Sequence, residues 1–268
     1  MHTHPGIVVS AALAIMLSFH AIQLPAQNAA NAGNRNTAAE DLDGYFRNVM
    51  DTQKYVGLGA CLLRNGGIVW EGYYGYADME EKKALKSDTI YQLASLSKTF
   101  TATALMQLYE KDLFRLDADV SDYLPFEVRN PNFPDTPITF RMLLTHTAGF
   151  ADVGSNGNRF GSKFPLGVRG DSPIPLGEFV AQVFTPGGKY YAPDLFSTEK
   201  PGTRYEYSNI SFSLIGYLVE TISGRDFSDY CKDNIFKPLE MNDTGWHLRD
   251  VDVERTAFSY VRAASDTV

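Results

Sequence analysis

The sequence predicts an α+β fold: a β-hairpin early in the mature chain, then a mostly helical part inserted beside a sheet. Three observations carry this expectation. Asn65-Gly66-Gly67 separates two strand-like stretches, residues 58–64 and 68–76. Apolar residues recur at helical spacing from Thr99 onward and again across residues 214–222. The 268-residue length and 44% hydrophobic content suit one large globular domain or two small ones, and exclude a disordered chain.

The N-terminus is read first, because it is expected to leave the mature protein. Residues 7–19 (IVVSAALAIMLSF) form an apolar run interrupted only by serines. The run is too short for a bilayer-spanning helix, which takes about 20 residues. Pro25 and the small-x-small pattern Ala30-Asn31-Ala32 follow, so residues 1–32 are expected to be a secretory signal peptide, with an N-terminal membrane anchor as the alternative. That reading places the protein in the periplasm or outside the cell, with membrane contact only transient and through the signal peptide. No cysteine lies near the cleavage site to carry a lipid. Residues 33–40 continue an Asn/Ala/Gly-rich composition and are expected to be a linker, leaving residues 41–268 as the folded domain.

Elements then follow in order. A short helical pattern (LDGYFRNVMD) precedes the hairpin, whose turn uses Asn-Gly because those residues tolerate positive φ. Phe100, Ala104, Leu105 and Leu108 mark one face of a helix. Residues 125–201 hold most of the prolines and read as a loop-rich middle. Leu214, Ile215, Leu218, Val219 and Ile222 describe a second amphipathic helix, stopped by Gly224, and FSDYCKDNIF a shorter one ending at Pro238. Cys61 stands in an apolar strand-like run, where a buried free thiol competes with a bridge to Cys231.

Composition narrows the chemistry. Acidic residues outnumber basic ones 32 to 24, which argues against nucleic acid as a partner. Two cysteines without C-x-x-C spacing fit neither a disulfide scaffold nor zinc. Of five histidines only His146 and His247 lie beyond the signal peptide, without ligand spacing, so neither a metal nor another cofactor is expected. No G-x-S-x-G elbow occurs.

A nucleophile system that needs no histidine is present. In S-x-x-K a serine opens a helix and a lysine sits one turn on, on the same face, where it can take or relay the serine's proton. The helix N-terminus adds free N–H groups and a positive dipole end for a developing oxyanion. Ser95-Leu96-Ser97-Lys98 meets these needs, running directly into the first helical pattern. Ser197-Thr198-Glu199-Lys200 has the same spacing but meets Pro201-Gly202, so it cannot open a helix. Tyr207-Ser208-Asn209 is the only Tyr-x-Asn among fifteen tyrosines and stands just before the second helix. A tyrosine beside ammonium groups can serve as a phenolate base, and an asparagine offers both donor and acceptor to an acyl side chain.

These residues resemble the serine β-lactamase and penicillin-binding-protein-like hydrolases, nearest the class C β-lactamase, D,D-peptidase and esterase branch. The likeness extends from Gly75-Tyr76-Ala77-Asp78 through LASLSKTFTATALMQLYEKDLFRLDADVSDYLP, ITFRMLLTHTAGF, PGTRYEYSN and IFKPLEMNDTGW, in that order. It implies a β-lactamase/transpeptidase-like fold, an antiparallel sheet flanked by helices with a mostly helical subdomain. It implies Ser95 as acylated nucleophile, Lys98 as its proton partner, Tyr207 as a base shared with Lys98, and Asn209 as substrate-binding. The Ser95 backbone N–H is expected to supply half of an oxyanion hole, and His146 to be structural. The implied reaction is acyl transfer from a small-molecule or peptide amide, β-lactam or ester to serine, resolved by water.

The family's third motif, Lys-Thr-Gly or His-x-Gly on a late strand, has no match after Asn209. The sequence is therefore expected to be truncated at its C-terminus, with late sheet strands missing. The alternative to an exported serine hydrolase is a catalytically inactive fragment or binding pseudoenzyme.

Overall fold

The computed structural model describes residues 33–152 and 170–260. The expected signal peptide lies outside these residues. The chain divides into two compact units, one of them Ser95–Val251 and the other built from residues before and after it. The helical part is thus inserted, in sequence, within the sheet part.

The sheet unit begins with helix α1 (Gly33–Gln53), followed by β1 (Gly57–Arg64), β2 (Gly67–Asp78) and the short β3 (Lys83–Ala84). Helix α1 starts inside the segment whose composition suggests a linker. Its helix-favouring Ala38, Ala39 and Glu40 let the turn propagate upstream of Asp41. The strands form an antiparallel sheet in the order β1-β2-β3. Asn65 (φ 51°) and Gly66 (φ 77°) make the two-residue turn between Arg64 and Gly67, with positive φ at both positions as the strand twist requires. Phe46 of α1 stacks on Trp70 of β2 at 5.3 Å, and Tyr74 donates to Asp43. Residues 256–258 return to this unit, with Ala257 N donating to Ile90 O and Phe258 N to Ala77 O.

Cys61 corrects one expectation. It is exposed on β1 rather than buried, and both cysteines are free thiols. The exposure belongs to the whole end of the strand: every residue from Cys61 to Arg64 is exposed, on either face.

The helical unit holds α2 (Ser97–Tyr109), α3 (Phe140–Leu144), α4 (Leu176–Phe184), α5 (Asn209–Ser223) and α6 (Phe227–Cys231). Its core is apolar and shared: Ala104, Leu105 and Leu108 of α2 are buried in one cluster with Leu214, Ile215 and Leu218 of α5. Phe114 stacks on Phe140 at 4.1 Å within the same cluster. Gly224 ends α5 in the left-handed region, φ 69°, and its N–H closes on Glu220 O. The pattern FSDYCKDNIF splits into α6 and a π-helical turn, Lys232–Phe236.

The loop-rich residues 125–201 also hold two helices, α3 and α4. Thr139 caps α3 by accepting from Met142 N, and Pro175 precedes α4. Both helices are short, α3 following Pro137 and α4 lying between Pro175 and Pro186, so composition hid them. Their buried faces (Phe140, Leu143; Val180, Val183, Phe184) join the core and supply stability that propensity alone does not.

Candidate active site

Every residue named in this subsection from Ser95 onward lies in the helical unit. Ser95 sits in a 3-10 turn, Ala94–Leu96, that leads into α2, and Lys98 is the second residue of α2. The serine is therefore on the tighter turn that opens the helix, not in the α-helix itself. Ala94 just before it is left-handed, φ 46°, a conformation that costs an L-residue about 1–2 kcal/mol. Such strain concentrates where a side chain must be aimed. Lys98 Nζ donates to Ser95 Oγ at 3.2 Å.

Tyr207 and Asn209 arrive from the far side of the sequence on the α5 N-terminus. Ser208 is the N-cap, its buried hydroxyl accepting from Ser211 N, and this fixes the direction of the residues on either side. Tyr207 Oη lies 2.7 Å from Ser95 Oγ. Asn209 Oδ1 accepts from Lys98 Nζ at 2.5 Å and lies 3.5 Å from Tyr207 Oη. Lys98 Nζ also stands over the Tyr207 ring, 4.9 Å from its centroid. The structure thus brings all four sequence-predicted site residues together. The second S-x-x-K serine, Ser197, is elsewhere: its backbone N–H donates to Gly149 O and its carbonyl accepts from Asn130.

His146 holds the tyrosine loop. Glu206 N donates to its carbonyl at 2.7 Å, and Ser208 N donates to its Nδ1 at 3.1 Å. Its ring lies 4.6 Å from that of Tyr207. Burial, with Lys98 adding to it, pushes the imidazole pKa below its ordinary value, while Asp152 pulls the other way. A neutral ring suits the geometry, because Nδ1 must accept.

Asp152 escaped the sequence reading. Its carboxylate accepts from Asn209 N at 2.8 and 3.0 Å and from Asn209 Nδ2 at 2.5 Å. Asn209, expected to present its amide to substrate, has its donor on Asp152 and its acceptor on Lys98. No local pattern marks Asp152; it stands two residues beyond LLTHTAGF and reaches Asn209 only through tertiary folding. Among the described residues no group of three or more His, Cys, Asp or Glu side chains is arranged to hold a metal.

A serine held between a lysine one turn away and a tyrosine from a capped helix, on a β-lactamase/transpeptidase-like fold, defines the class. The chain belongs to the β-lactamase family, whose model matches residues 42–268. Penicillin-binding protein 4* of Bacillus subtilis (strain 168) is 32% identical over 208 residues, 76% of this chain and 42% of that protein. The chain therefore spans less than half the length of that relative. Among solved structures, EstCE1, described as a hydrolase with promiscuous acyltransferase activity, is similar with TM-score 0.67 and 26% identity. That likeness covers 84% of this chain and 56% of EstCE1. The octameric penicillin-binding protein homologue from Pyrococcus abyssi gives TM-score 0.67 at 26% identity, covering 83% and 48% of the two chains.

Proposed function

We propose that this protein is an exported serine hydrolase that forms an acyl-enzyme on Ser95 with an amide, β-lactam or ester substrate. The observation that carries this reading is the meeting of Ser95 Oγ with both Tyr207 Oη and Lys98 Nζ, at 2.7 and 3.2 Å. Lys98 as an ammonium has only donors to offer. Tyr207 Oη is the nearer of the two to Ser95 Oγ, which favours it as the group that accepts the serine proton.

In the proposed sequence Tyr207 acts as a phenolate, and Ser95 Oγ attacks the substrate carbonyl carbon as its proton passes to the Tyr207 oxygen. The Ser95 backbone N–H, in a first turn without intrahelical partners, faces the carbonyl oxygen as it gains charge. The tetrahedral adduct then collapses, and the leaving amine or alkoxide takes the proton from Tyr207. Water, deprotonated by the same oxygen, attacks the acyl carbon; the bond from that carbon to Ser95 Oγ breaks, and Tyr207 returns the proton to Oγ. Lys98 Nζ donates to Ser95 Oγ and holds it toward the substrate. Small-molecule and peptide acyl compounds are the substrate class; the relatives above support this by their descriptions as penicillin-binding proteins and a hydrolase.

A fluorescent β-lactam and a fluorophosphonate test the reading. The expected result is one covalent label, mapped to Ser95 by mass spectrometry and absent from Ser95→Ala. Equal labelling of the alanine variant, or no label with either probe, sinks it in favour of a binding pseudoenzyme. Export by residues 1–32 is tested by N-terminal sequencing of protein recovered outside the cytoplasm; a retained Met1 there overturns the cleavage reading.

A further inference from the structure

A side-chain amide has two ends that are alike in shape and opposite in chemistry, an oxygen that accepts and an NH2 that donates. Which way Asn209 points therefore decides what it can do for Lys98. The oxygen faces Lys98 Nζ at 2.5 Å, and the NH2 faces Asp152 Oδ2 at 2.5 Å. Rotating the amide by half a turn would set NH2 against the ammonium and oxygen against the carboxylate. Both contacts would then be repulsive, so lysine and aspartate select the same orientation from opposite ends.

The aspartate grips the backbone as well. Asn209 N donates to both of its oxygens, at 2.8 and 3.0 Å. That N–H belongs to the first residue of α5, where it has no intrahelical partner and where the dipole favours an anion. Lys98, by contrast, has few polar holds among the described residues. Among the described residues its neighbours besides Asn209 are Ser95 Oγ at 3.2 Å and the faces of Tyr207 and Phe212 at 4.9 and 5.8 Å. Ring faces attract a cation but do not set its position along the plane. The short bond to Asn209 Oδ1 is what fixes Nζ against the serine.

We propose that Asp152 is a positioning residue, whose carboxylate locks the Asn209 amide so that its oxygen holds Lys98 on Ser95. The proposal rests on Ser95 being the nucleophile. Asp152 touches none of the reacting atoms and acts through one intermediary, and this gives it a distinct signature. Its removal slows Ser95 only while Asn209 is present.

The experiment measures the second-order rate of Ser95 labelling by a fluorophosphonate, which carries no acyl-amide group for Asn209 to recognise. The 268-residue protein is compared with Asp152→Ala, Asp152→Asn, Asn209→Ala and the Asp152→Ala/Asn209→Ala double variant. Asp152→Ala is expected to lose about tenfold or more. Asp152→Asn, which keeps one acceptor, is expected to fall between it and the parent. The double variant is expected to label no more slowly than Asn209→Ala alone, the mark of two residues acting as one unit. Independent losses that multiply in the double variant overturn the proposal, as does a wild-type rate in Asp152→Ala. Circular dichroism identifies a variant that has not folded. If Asp152→Ala is one, Asp152→Asn decides: slowed labelling supports the proposal and an unchanged rate overturns it. Failure of the parent protein to label at Ser95 is a separate result, and refutes the serine-hydrolase reading instead.

Discussion

Replacing Tyr207 by Phe removes one oxygen and leaves the ring. That oxygen lies 2.7 Å from Ser95 Oγ and 3.5 Å from Asn209 Oδ1. The ring keeps its packing 4.6 Å from His146 and its place under Lys98 Nζ at 4.9 Å. Tyr207 is 41% exposed, so water compensates part of the lost bonding, and the stability cost is expected at or below about 0.5–1.5 kcal/mol. The effect on acylation is of another size. Loss of a positioned general base costs on the order of 10²–10⁴ in rate, which at about 1.36 kcal/mol per tenfold is roughly 3–5 kcal/mol. The two magnitudes separate the roles of the residue. Labelling of Ser95 by a fluorophosphonate, followed under excess probe, gives the rate; a urea titration of the same samples gives the stability. A Tyr207→Phe rate within about threefold of the parent, with unchanged stability, would refute proton transfer to Tyr207 and leave Lys98 as the acceptor.

Three further outcomes are expected. Gly75→Ala should destabilise the sheet unit more than Gly66→Ala in urea titrations. Both glycines are left-handed, at φ 75° and 77°, but a Cβ at Gly75 would meet Val56 O at 2.1 Å, whereas Gly66 has open space. The φ cost shared by both is about 1–2 kcal/mol; equal losses would mean the close approach relaxes without penalty. His146 has a lowered folded-state pKa, so the unfolded chain takes up its proton first as pH falls. Stability that is full above the unfolded value of about 6.5 is therefore lost on acidification toward the folded value. The melting-temperature gap between the parent and His146→Gln should narrow from pH 7.5 to pH 5, and parallel curves would contradict this. Cys61 is exposed, while burial pushes the Cys231 thiol up to about 12. Of the two thiols, one should react with Ellman's reagent at neutral pH in the native protein and both in denaturant. Two fast-reacting native thiols would contradict the burial of Cys231.

How much was legible before folding depended on how locally each feature is encoded. Asn65-Gly66 announced its turn because positive φ at two adjacent positions selects those residues. Gly224 announced the end of α5 for the same reason. Ser95-x-x-Lys98 and Tyr207-x-Asn209 were legible because each pair lies within one turn of a helix or beside its cap. The α3 and α4 helices were not. Five- and nine-residue helices among prolines carry too little periodicity, and what holds them is burial of Phe140 and Val180 against distant α5. The exposure of Cys61 was likewise hidden, since its apolar neighbours Leu62 and Leu63 are exposed as well.

By itself, then, the sequence determined the hairpin and the two principal helices, and it picked out Ser95, Lys98, Tyr207 and Asn209 as candidates. Each depends on backbone preferences or side-chain spacing within a few residues. Only the tertiary structure decided that Ser95 and Tyr207, 112 positions apart, share a hydrogen bond. It alone showed His146 bracing Ser208 and Asp152 gripping Asn209, across 62 and 57 positions. Such contacts form because core packing of α2 against α5 brings their N-termini together. Burial is non-directional, so no local pattern records which polar groups will meet at its margin.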